Sequence, residues 1–279
     1  MSLLAATSVA VALPLGLIAM VTALLQGKLL FGRTWILRRA PAGPAAQRRT
    51  AEPVTLQRPG GVRLQGWLSV TDGAAPRRVL LWFGGRNEHV GWTPDFGGWL
   101  PDDCALLAFN YRSLGGSGGW PSERACVADA AAIAGWARER FGESAPLHLA
   151  GRSIGSGIAM QLAARLTAQG RPVESLTLVT PPQSLRAVLA ESWWLVPLLP
   201  LLRSPLDSLA AASGLRCPVL MLLAESDRQV PHAHSMALAT ALRAAGCAVQ
   251  VHQLDGTTHR NLVRTTAAMG LIGRWLTAQ

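Results

Sequence analysis

The stretch LHLAGRSIGSG, residues 147–157, decides the fold of this chain. A short apolar run, Leu147–Ala150, leads into a G-x-S-x-G pattern centred on Ser153, and an alanine-rich helical pattern continues to about Gln169. A strand, a sharp turn and a helix in this order form a nucleophile elbow, which lifts the serine hydroxyl out of the sheet edge. The five-residue pattern alone is equally consistent with an ordinary glycine turn, because the chain has 28 glycines.

A serine hydroxyl needs a base to become a nucleophile, and the base needs an acid to orient it. After a nucleophile elbow, these partners follow in the order acid, then histidine. Asp227 follows the apolar run Pro218–Ala224 by a short loop, and His259 follows the run Val249–Leu254 by another loop. Both loops come after strands, where parallel sheets place their sites. We therefore predict Ser153, Asp227 and His259 as a catalytic triad.

Other residues compete for two of these roles. Glu225 is a rival for the acid, and Asp227 is also consistent with a loop acid or a helix cap. Only His259 lies in a loop after the last predicted strand. The other five histidines lie within strands, at a helix start or before the serine: His148, His252, His232, His234 and His89.

Two backbone amides are predicted to bind the oxyanion that forms during acyl transfer. The Ile154 N–H lies at a helix N-terminus, where the helix dipole favours negative charge. The second donor is expected in the loop after the apolar run Val79–Phe83. Arg86 is preferred there, with Gly85 and Asn87 as neighbouring candidates, although a plain glycine turn explains the same residues.

Strand and helix patterns alternate through residues 53–279. Two runs around Pro59-Gly60-Gly61 indicate an opening hairpin, and a helix is predicted at Glu123–Arg140. This alternation predicts an α/β fold with a doubly wound, mostly parallel sheet. The predicted strands are Val54–Arg58, Val62–Leu68, Val79–Phe83, Cys104–Asn110, Leu147–Ala150, Leu176–Val179, Cys217–Ala224 and Val249–Leu254.

The first 27 residues contain no charged side chain, and Leu3–Leu25 is almost entirely apolar. A helix of 23 residues spans about 34 Å, enough to cross the hydrocarbon core of a bilayer. A secretory signal has a basic start and a shorter apolar run. Residues 1–27 are therefore predicted to be a single transmembrane anchor.

Residues 28–52 read as a basic linker. Six basic residues precede the first acidic residue, Glu52, and the positive-inside rule then puts the catalytic domain in the cytoplasm. Without those six, the chain has 20 basic and 16 acidic residues. The net charge of +10 is thus largely next to the anchor, which indicates a membrane and not nucleic acid as partner. The six are Lys28, Arg33, Arg38, Arg39, Arg48 and Arg49.

Residues 184–208 interrupt the alternation with an apolar segment that contains three prolines and the pair Trp193-Trp194. We predict that this segment is a lid and that the two tryptophans bind substrate. A core-packing excursion explains the same composition.

The four cysteines have no spacing typical of metal ligands and are expected to be buried free thiols. No metal or cofactor is predicted. These residues are Cys104, Cys126, Cys217 and Cys247.

Taken together, the elbow, the glycine loop, the Asp227 and His259 loops and the run Asn110–Gly118 resemble the α/β-hydrolase superfamily. More narrowly, the chain resembles its single-pass, membrane-anchored serine hydrolases of the BEM46-like and ABHD13-like branch. Two positions depart from the family's pattern: Gly84 replaces a common histidine, and Ala224 replaces a common glycine before the acid.

The resemblance implies Ser153 as nucleophile, Asp227 as acid and His259 as base, with Arg86 and Ile154 as oxyanion donors. The expected function is hydrolysis of a small-molecule or lipid-like carboxylic ester at a membrane. A serine peptidase or aminopeptidase on the same scaffold and a non-catalytic, membrane-tethered binding module are the alternatives.

Overall fold

An eight-stranded sheet forms the centre of the computed structural model, which describes residues 26–32, 43 and 48–279. The strand order is β1-β2-β4-β3-β5-β6-β7-β8, in which β2 pairs antiparallel with both β1 and β4, and the six strands β3 to β8 are parallel to one another. The α/β fold with a mostly parallel sheet is therefore confirmed. The strands are β1 Arg49–Arg58, β2 Val62–Thr71, β3 Arg78–Phe83, β4 Cys104–Phe109, β5 Leu147–Arg152, β6 Ser175–Val179, β7 Val219–Ser226 and β8 Val249–Thr258.

Helices cover both faces of the sheet, because alternate residues of each parallel strand point to opposite sides. On β3, for example, Val79 and Leu81 join one buried cluster, and Leu80 and Trp82 join the other. The larger cluster packs under α2, α3 and α6, and the smaller one packs under α1 and α7. The helices are α1 Thr93–Gly97, α2 Glu123–Phe141, α3 Ile154–Ala168, α4 Leu185–Ala190, α5 Ser208–Ala212, α6 His232–Ala244 and α7 Thr266–Thr277.

The chain reverses its direction of travel across the sheet at β3. This strand pairs with β4 on one side and with β5 on the other, and Phe83 lies opposite Gly151 at the carboxyl ends. Ligands of open α/β sheets bind at such a switch point. The loop after β3 and the elbow after β5 therefore lie next to each other at the expected position of a site.

The first strand begins at Arg49, four residues before the predicted domain boundary, so the predicted linker 28–52 is too long. The Arg49 side chain lies inside the domain and donates hydrogen bonds to Ser69, Thr71, Pro101 and Cys104. Desolvation by burial lowers the pKa of this guanidinium. Arg49, which the charge pattern assigned to the linker beside the membrane, is thus buried in the domain, where its hydrogen bonds connect neighbouring strands.

Residues 26–31, which the sequence assigned to the anchor and linker, are helical and pack against the domain. The Phe31 ring is fully buried and makes an edge contact with Tyr111, with ring centroids 5.3 Å apart. Gln26 donates a side-chain hydrogen bond to the Leu201 carbonyl and accepts one from the Arg203 amide. We call residues 26–32 the strap.

Most of the predicted transmembrane anchor, residues 1–25, lies outside the described residues. Within residues 26–32, 43 and 48–279, no helix is long and apolar enough to span a bilayer. The anchor remains a prediction from the sequence.

The apolar segment 184–208 folds as α4 followed by a 3-10 helix at Trp193–Leu201. The side chains of Trp193 and Trp194 point to solvent, with 84% and 62% of each residue exposed. The two tryptophans are therefore not part of the hydrophobic core, whereas the alternative interpretation of this segment required them to be. Elsewhere, the four cysteines are free and buried, as predicted.

Candidate active site

Ser153 occupies a strained turn between β5 and α3. Its φ of 51° and ψ of −119° lie in a region that residues with a side chain rarely adopt. The Ser153 amide donates to the Val179 carbonyl over 2.8 Å, which ties the turn to the neighbouring strand. The structure therefore has the predicted strand, sharp turn and helix at residues 147–168.

The glycines on either side of this turn are required by close packing. A Cβ on Gly151 would collide with the Gly155 carbonyl, and one on Gly155 would collide with the Phe83 carbonyl at the end of β3. The second contact brings the elbow directly against the loop that follows β3. A larger residue at position 155 would push these two loops apart, whereas one at position 151 would distort the elbow itself.

Asp227 and His259 form a buried pair after β7 and β8. The His259 Nδ1 atom lies 2.8 Å from Asp227 Oδ2, and the exposed fractions of the two side chains are 7% and 2%. The Asp227 Oδ1 atom accepts the amides of Gln229 and Val230. Both carboxylate oxygens are therefore occupied, which fixes the carboxylate toward the imidazole.

The pKa of Asp227 is lowered, although its burial acts in the opposite direction. Desolvation raises the pKa of the carboxyl group, but the hydrogen bond and charge of His259, together with the two backbone amides, outweigh it. Asp227 is thus held as a carboxylate beside the imidazole.

The rival candidates have other partners. Glu225 accepts the backbone amide of Gly256 over 2.7 Å. His234 pairs with Glu191 at 2.7 Å, and His148 lies 2.8 Å from the Ser175 hydroxyl. His232 contacts the backbone carbonyl of Ala224. Of the histidines considered in the sequence, His259 is the one paired with Asp227.

The loop after β3 provides candidate oxyanion donors. The Gly85 amide donates to Glu88 over 2.8 Å, and the Asn87 amide donates to the Phe31 carbonyl of the strap over 3.3 Å. Arg86, between them, has no hydrogen bond to the described part of the chain. Ile154 is the first residue of α3, where the N–H has no helical carbonyl partner. Both predicted donors line the same cavity as Ser153.

Glu88 connects this loop to the elbow, and the sequence analysis did not identify it. The carboxylate is 6% exposed and pairs with Arg152, the residue before Ser153, at 2.7 Å. It also accepts the indole N–H groups of Trp82 and Trp92, each over 3.1 Å. Arg152 in turn donates to the His259 carbonyl over 2.9 Å. The only signal in the sequence was an acidic residue directly after the glycine loop.

A cavity of about 680 Å³ opens at this edge of the sheet. Ser153, Arg86, Ile154 and His259 line it, and Asp227 lies behind His259. Trp193 and Trp194, which the sequence predicted to bind substrate, do not line the cavity and are exposed to solvent. Instead, α4 of the same segment supplies the apolar wall, through Leu185, Val188 and Leu189.

Among the residues that the structure describes, no three His, Cys, Asp or Glu side chains are grouped as metal ligands. The arrangement that remains is a serine on a strained strand-to-helix turn, with an Asp–His pair and two backbone amides at the same edge of a parallel sheet. Such an arrangement is typical of α/β hydrolases.

Comparisons with known proteins agree with this class. A family model described as "Serine aminopeptidase, S33" matches residues 74–212. An uncharacterized protein of Mycobacterium tuberculosis is 30% identical over 196 residues, which are 68% of each chain. The lysophosphatidylserine lipase ABHD12 of zebrafish (Danio rerio) is 31% identical over 139 residues, but these are 45% of this chain and only 36% of that protein.

Solved structures show the same fold. An esterase of Pyrococcus furiosus superposes with a TM-score of 0.67 at 17% identity, covering 89% of this chain and 98% of that one. An α/β hydrolase of Vibrio vulnificus superposes with a TM-score of 0.65 at 21% identity, covering 82% and 80%. The chain belongs to the α/β-hydrolase superfamily.

Proposed function

We propose that this protein is a membrane-anchored serine hydrolase that cleaves carboxylic esters through an acyl-enzyme. The observation that carries the proposal is the buried Asp227–His259 pair beside the cavity that Ser153 lines. A binding module has no need of a strained serine or of a buried carboxylate aimed at an imidazole. The proposed roles are Ser153 as nucleophile, His259 as base and Asp227 as orienting acid.

In the first half of the reaction, Ser153 Oγ attacks the carbonyl carbon of the ester while His259 Nε2 takes the hydroxyl proton. Asp227 holds the other imidazole proton on Nδ1, so that the Nε2 lone pair is available. The oxyanion accepts the amides of Arg86 and Ile154. His259 then protonates the leaving alkoxide as the bond between the carbonyl carbon and the alcohol oxygen breaks.

In the second half, water attacks the acyl-enzyme and gives its proton to His259. The second tetrahedral intermediate collapses with release of the carboxylic acid, and His259 returns the proton to Ser153 Oγ. The strained backbone of Ser153 supports this cycle because it exposes the hydroxyl in front of the first turn of α3.

An ester substrate is supported by the kind of relatives that the chain resembles. One of them is named a lysophosphatidylserine lipase, and one solved neighbour is an esterase. The apolar wall formed by α4 is also suited to an acyl chain. We therefore propose a lipid-like ester in preference to a small polar one.

Membrane attachment is the second part of the proposal. It is supported by the uncharged residues 1–27 and by the basic residues that follow them. With this orientation, the hydrolase domain faces the cytoplasm. A reporter fused after Gln279 should then be active in the cytoplasm, and activity on the opposite side of the membrane would contradict the orientation.

The decisive test of the catalytic proposal is labelling by a fluorophosphonate, which reacts with activated serines. We expect the detergent-solubilised, folded protein to be labelled, Ser153→Ala to lose the label, and the exposed control Ser226→Ala to keep it. Ser153→Ala should also lose at least about a thousandfold in kcat on a p-nitrophenyl ester. A folded wild-type protein without label would favour the binding module.

A serine peptidase is the second candidate, because the matching family model carries the description of an aminopeptidase. The two are separated by comparing an acyl p-nitrophenyl ester with an aminoacyl p-nitroanilide. We expect turnover of the ester alone, and efficient cleavage of the anilide would favour the peptidase.

A further inference from the structure

The lining of the cavity combines an apolar wall, formed by α4 as described above, with a strongly basic set of residues. Four arginines line the cavity, against Glu88 as the only carboxylate among the lining residues. The four are Arg86, Arg152, Arg260 and Arg264.

These arginines are not equivalent. Arg152 is 13% exposed in its side chain and is occupied by Glu88 and by the His259 carbonyl. Arg86 and Arg260, in contrast, are exposed at the cavity. Neither of these two side chains has a hydrogen bond or an ion pair with residues 26–32, 43 or 48–279. Arg86 and Arg260 therefore present positive charge, with no carboxylate of the described residues paired to it, to a ligand that enters the cavity.

From this distribution we infer that the substrate is an ester whose alcohol part carries an anionic group, a phosphate or a carboxylate. The inference rests on the proposed ester hydrolase and names its substrate class. Guanidinium groups bind both anions through paired, charge-assisted hydrogen bonds. A cleft lined by one sign of charge also concentrates ligands of the opposite sign.

The position of Arg260 next to His259 indicates which part of the ester carries the anionic group. Arg260 directly follows His259, and the proposed role of His259 is to protonate the leaving alcohol. The alcohol part of the ester must therefore lie close to this end of the cavity. The acyl chain then binds against the apolar wall of α4, which is formed by Leu185, Val188 and Leu189. The same charges disfavour a substrate with a free α-ammonium group, which an aminopeptidase must bind.

The test uses two esters with the same acyl chain, a monodecanoylglycerol and the corresponding monodecanoylglycerol phosphate, both below their aggregation limits. For the full-length protein in detergent, we expect kcat/KM to be about tenfold higher for the phosphate ester. In Arg260→Gln, this preference should fall about tenfold, mainly through KM for the phosphate ester. Arg86→Gln should lower the ratio in the same direction.

Arg228 offers a matched control. It is an exposed arginine next to Asp227 at the same edge of the sheet, but it does not line the cavity. Arg228→Gln should leave the ratio unchanged. An equal loss in Arg228→Gln and Arg260→Gln would mean that a diffuse field and not a binding contact sets the preference, and would contradict the inference.

Inorganic phosphate distinguishes the headgroup of a substrate from a free anion. If the site binds the anionic group as part of the ester, inorganic phosphate should inhibit hydrolysis only weakly at concentrations near the KM of the phosphate ester. Strong competitive inhibition would identify free phosphate as the ligand and overturn the substrate assignment. A wild-type ratio near one would also overturn it.

Failure of this inference is separable from failure of the proposed function. If the neutral ester is cleaved but the anionic one gains nothing, only the substrate class is wrong. If a folded protein cleaves neither ester and takes no fluorophosphonate label, the hydrolase itself is wrong.

Discussion

Arg152 pairs with the buried carboxylate of Glu88 at 2.7 Å and, through its other terminal nitrogen, reaches the backbone of His259 at 2.9 Å. One side chain thus connects the loop after β3, the elbow and the loop after β8. Because Arg152 precedes Ser153 directly, a change in this ion pair is expected to move the proposed nucleophile relative to its base and its oxyanion donors.

Replacing Glu88 with Gln removes the charge while keeping the size of the side chain. Breaking a buried ion pair typically costs about 3–5 kcal/mol, because the partner's charge stays buried. We expect the free energy of unfolding to fall by about 3 kcal/mol. For the folded protein, kcat for an ester should fall tenfold to a hundredfold, because displacing a catalytic group by about 1 Å from its reactive geometry has an effect of this size.

Two further variants separate positioning from general instability. Arg152→Lys keeps the positive charge but lacks the planar guanidinium group that contacts both partners. We therefore expect a larger relative loss in kcat than in the free energy of unfolding. Asp103→Asn breaks the partly exposed pair between Asp103 and Arg78, and it should leave kcat unchanged. A normal kcat in both Glu88 and Arg152 variants would assign the pair to stability alone.

Asp227→Asn tests the orienting carboxylate. Without the carboxylate, the imidazole loses the partner that keeps its proton on Nδ1, and a loss of about ten-thousandfold in kcat is known for such a change in serine hydrolases. We expect a loss of at least about a thousandfold in steady-state assays. Glu225→Gln is the matched control, since Glu225 bonds the Gly256 amide, and it should stay within about threefold.

His148 should make the fold sensitive to acid. Burial lowers the pKa of this imidazole from 6.5 to about 4. The unfolded chain therefore takes up a proton below pH 6.5, whereas the folded protein does not until about pH 4. Stability is then lost as the pH falls through this window, by about 3 kcal/mol in total.

The comparison that isolates this effect is His148→Asn, which keeps a polar atom near the Ser175 hydroxyl. Denaturant unfolding of this variant should depend less on pH between 6.5 and 4 than that of wild type. His252→Asn, at a partly exposed position in β8, should retain the wild-type dependence. Parallel pH curves for His148→Asn and wild type would exclude His148 as the cause.

Arg48 and Arg49 are adjacent in the chain and opposite in environment. The Arg49 side chain bonds four neighbouring residues inside the domain, whereas 66% of the Arg48 side chain is exposed. Arg49→Met should destabilise the protein by about 2–4 kcal/mol, because it leaves buried carbonyls without donors. Arg48→Met should change the free energy of unfolding by less than about 0.5 kcal/mol in the same chemical denaturation experiment. Equal effects would contradict the burial of Arg49.

The sequence allowed the sheet and the order of the site residues to be predicted because both depend on local patterns. Continuous apolar runs mark buried parallel strands, and the loops that follow them must share one edge. The strand ends were less predictable: β8 continues to Thr258, through residues that had been expected to form a loop. Pairing of Ser226 with Thr258 supplies backbone hydrogen bonds that composition does not reveal.

The contacts that the sequence could not reveal are long-range and polar. Glu88 and Arg152 are 64 residues apart, and Arg49 reaches a carbonyl 55 residues away. Trp193 and Trp194 were expected to bind substrate because they are large and apolar. The direction in which a side chain of a short 3-10 segment points depends on tertiary packing, and here both side chains are exposed to solvent and neither lines the cavity.

The strap has a practical consequence for anyone preparing this enzyme without its predicted anchor. The Phe31 carbonyl accepts the Asn87 amide, one residue after the proposed oxyanion donor Arg86, and Phe31 itself fills a pocket beside Tyr111. Truncation for expression must therefore keep the chain from Gln26 onward. A shorter form that starts at residue 48 would lack this support for the loop beside the proposed catalytic serine.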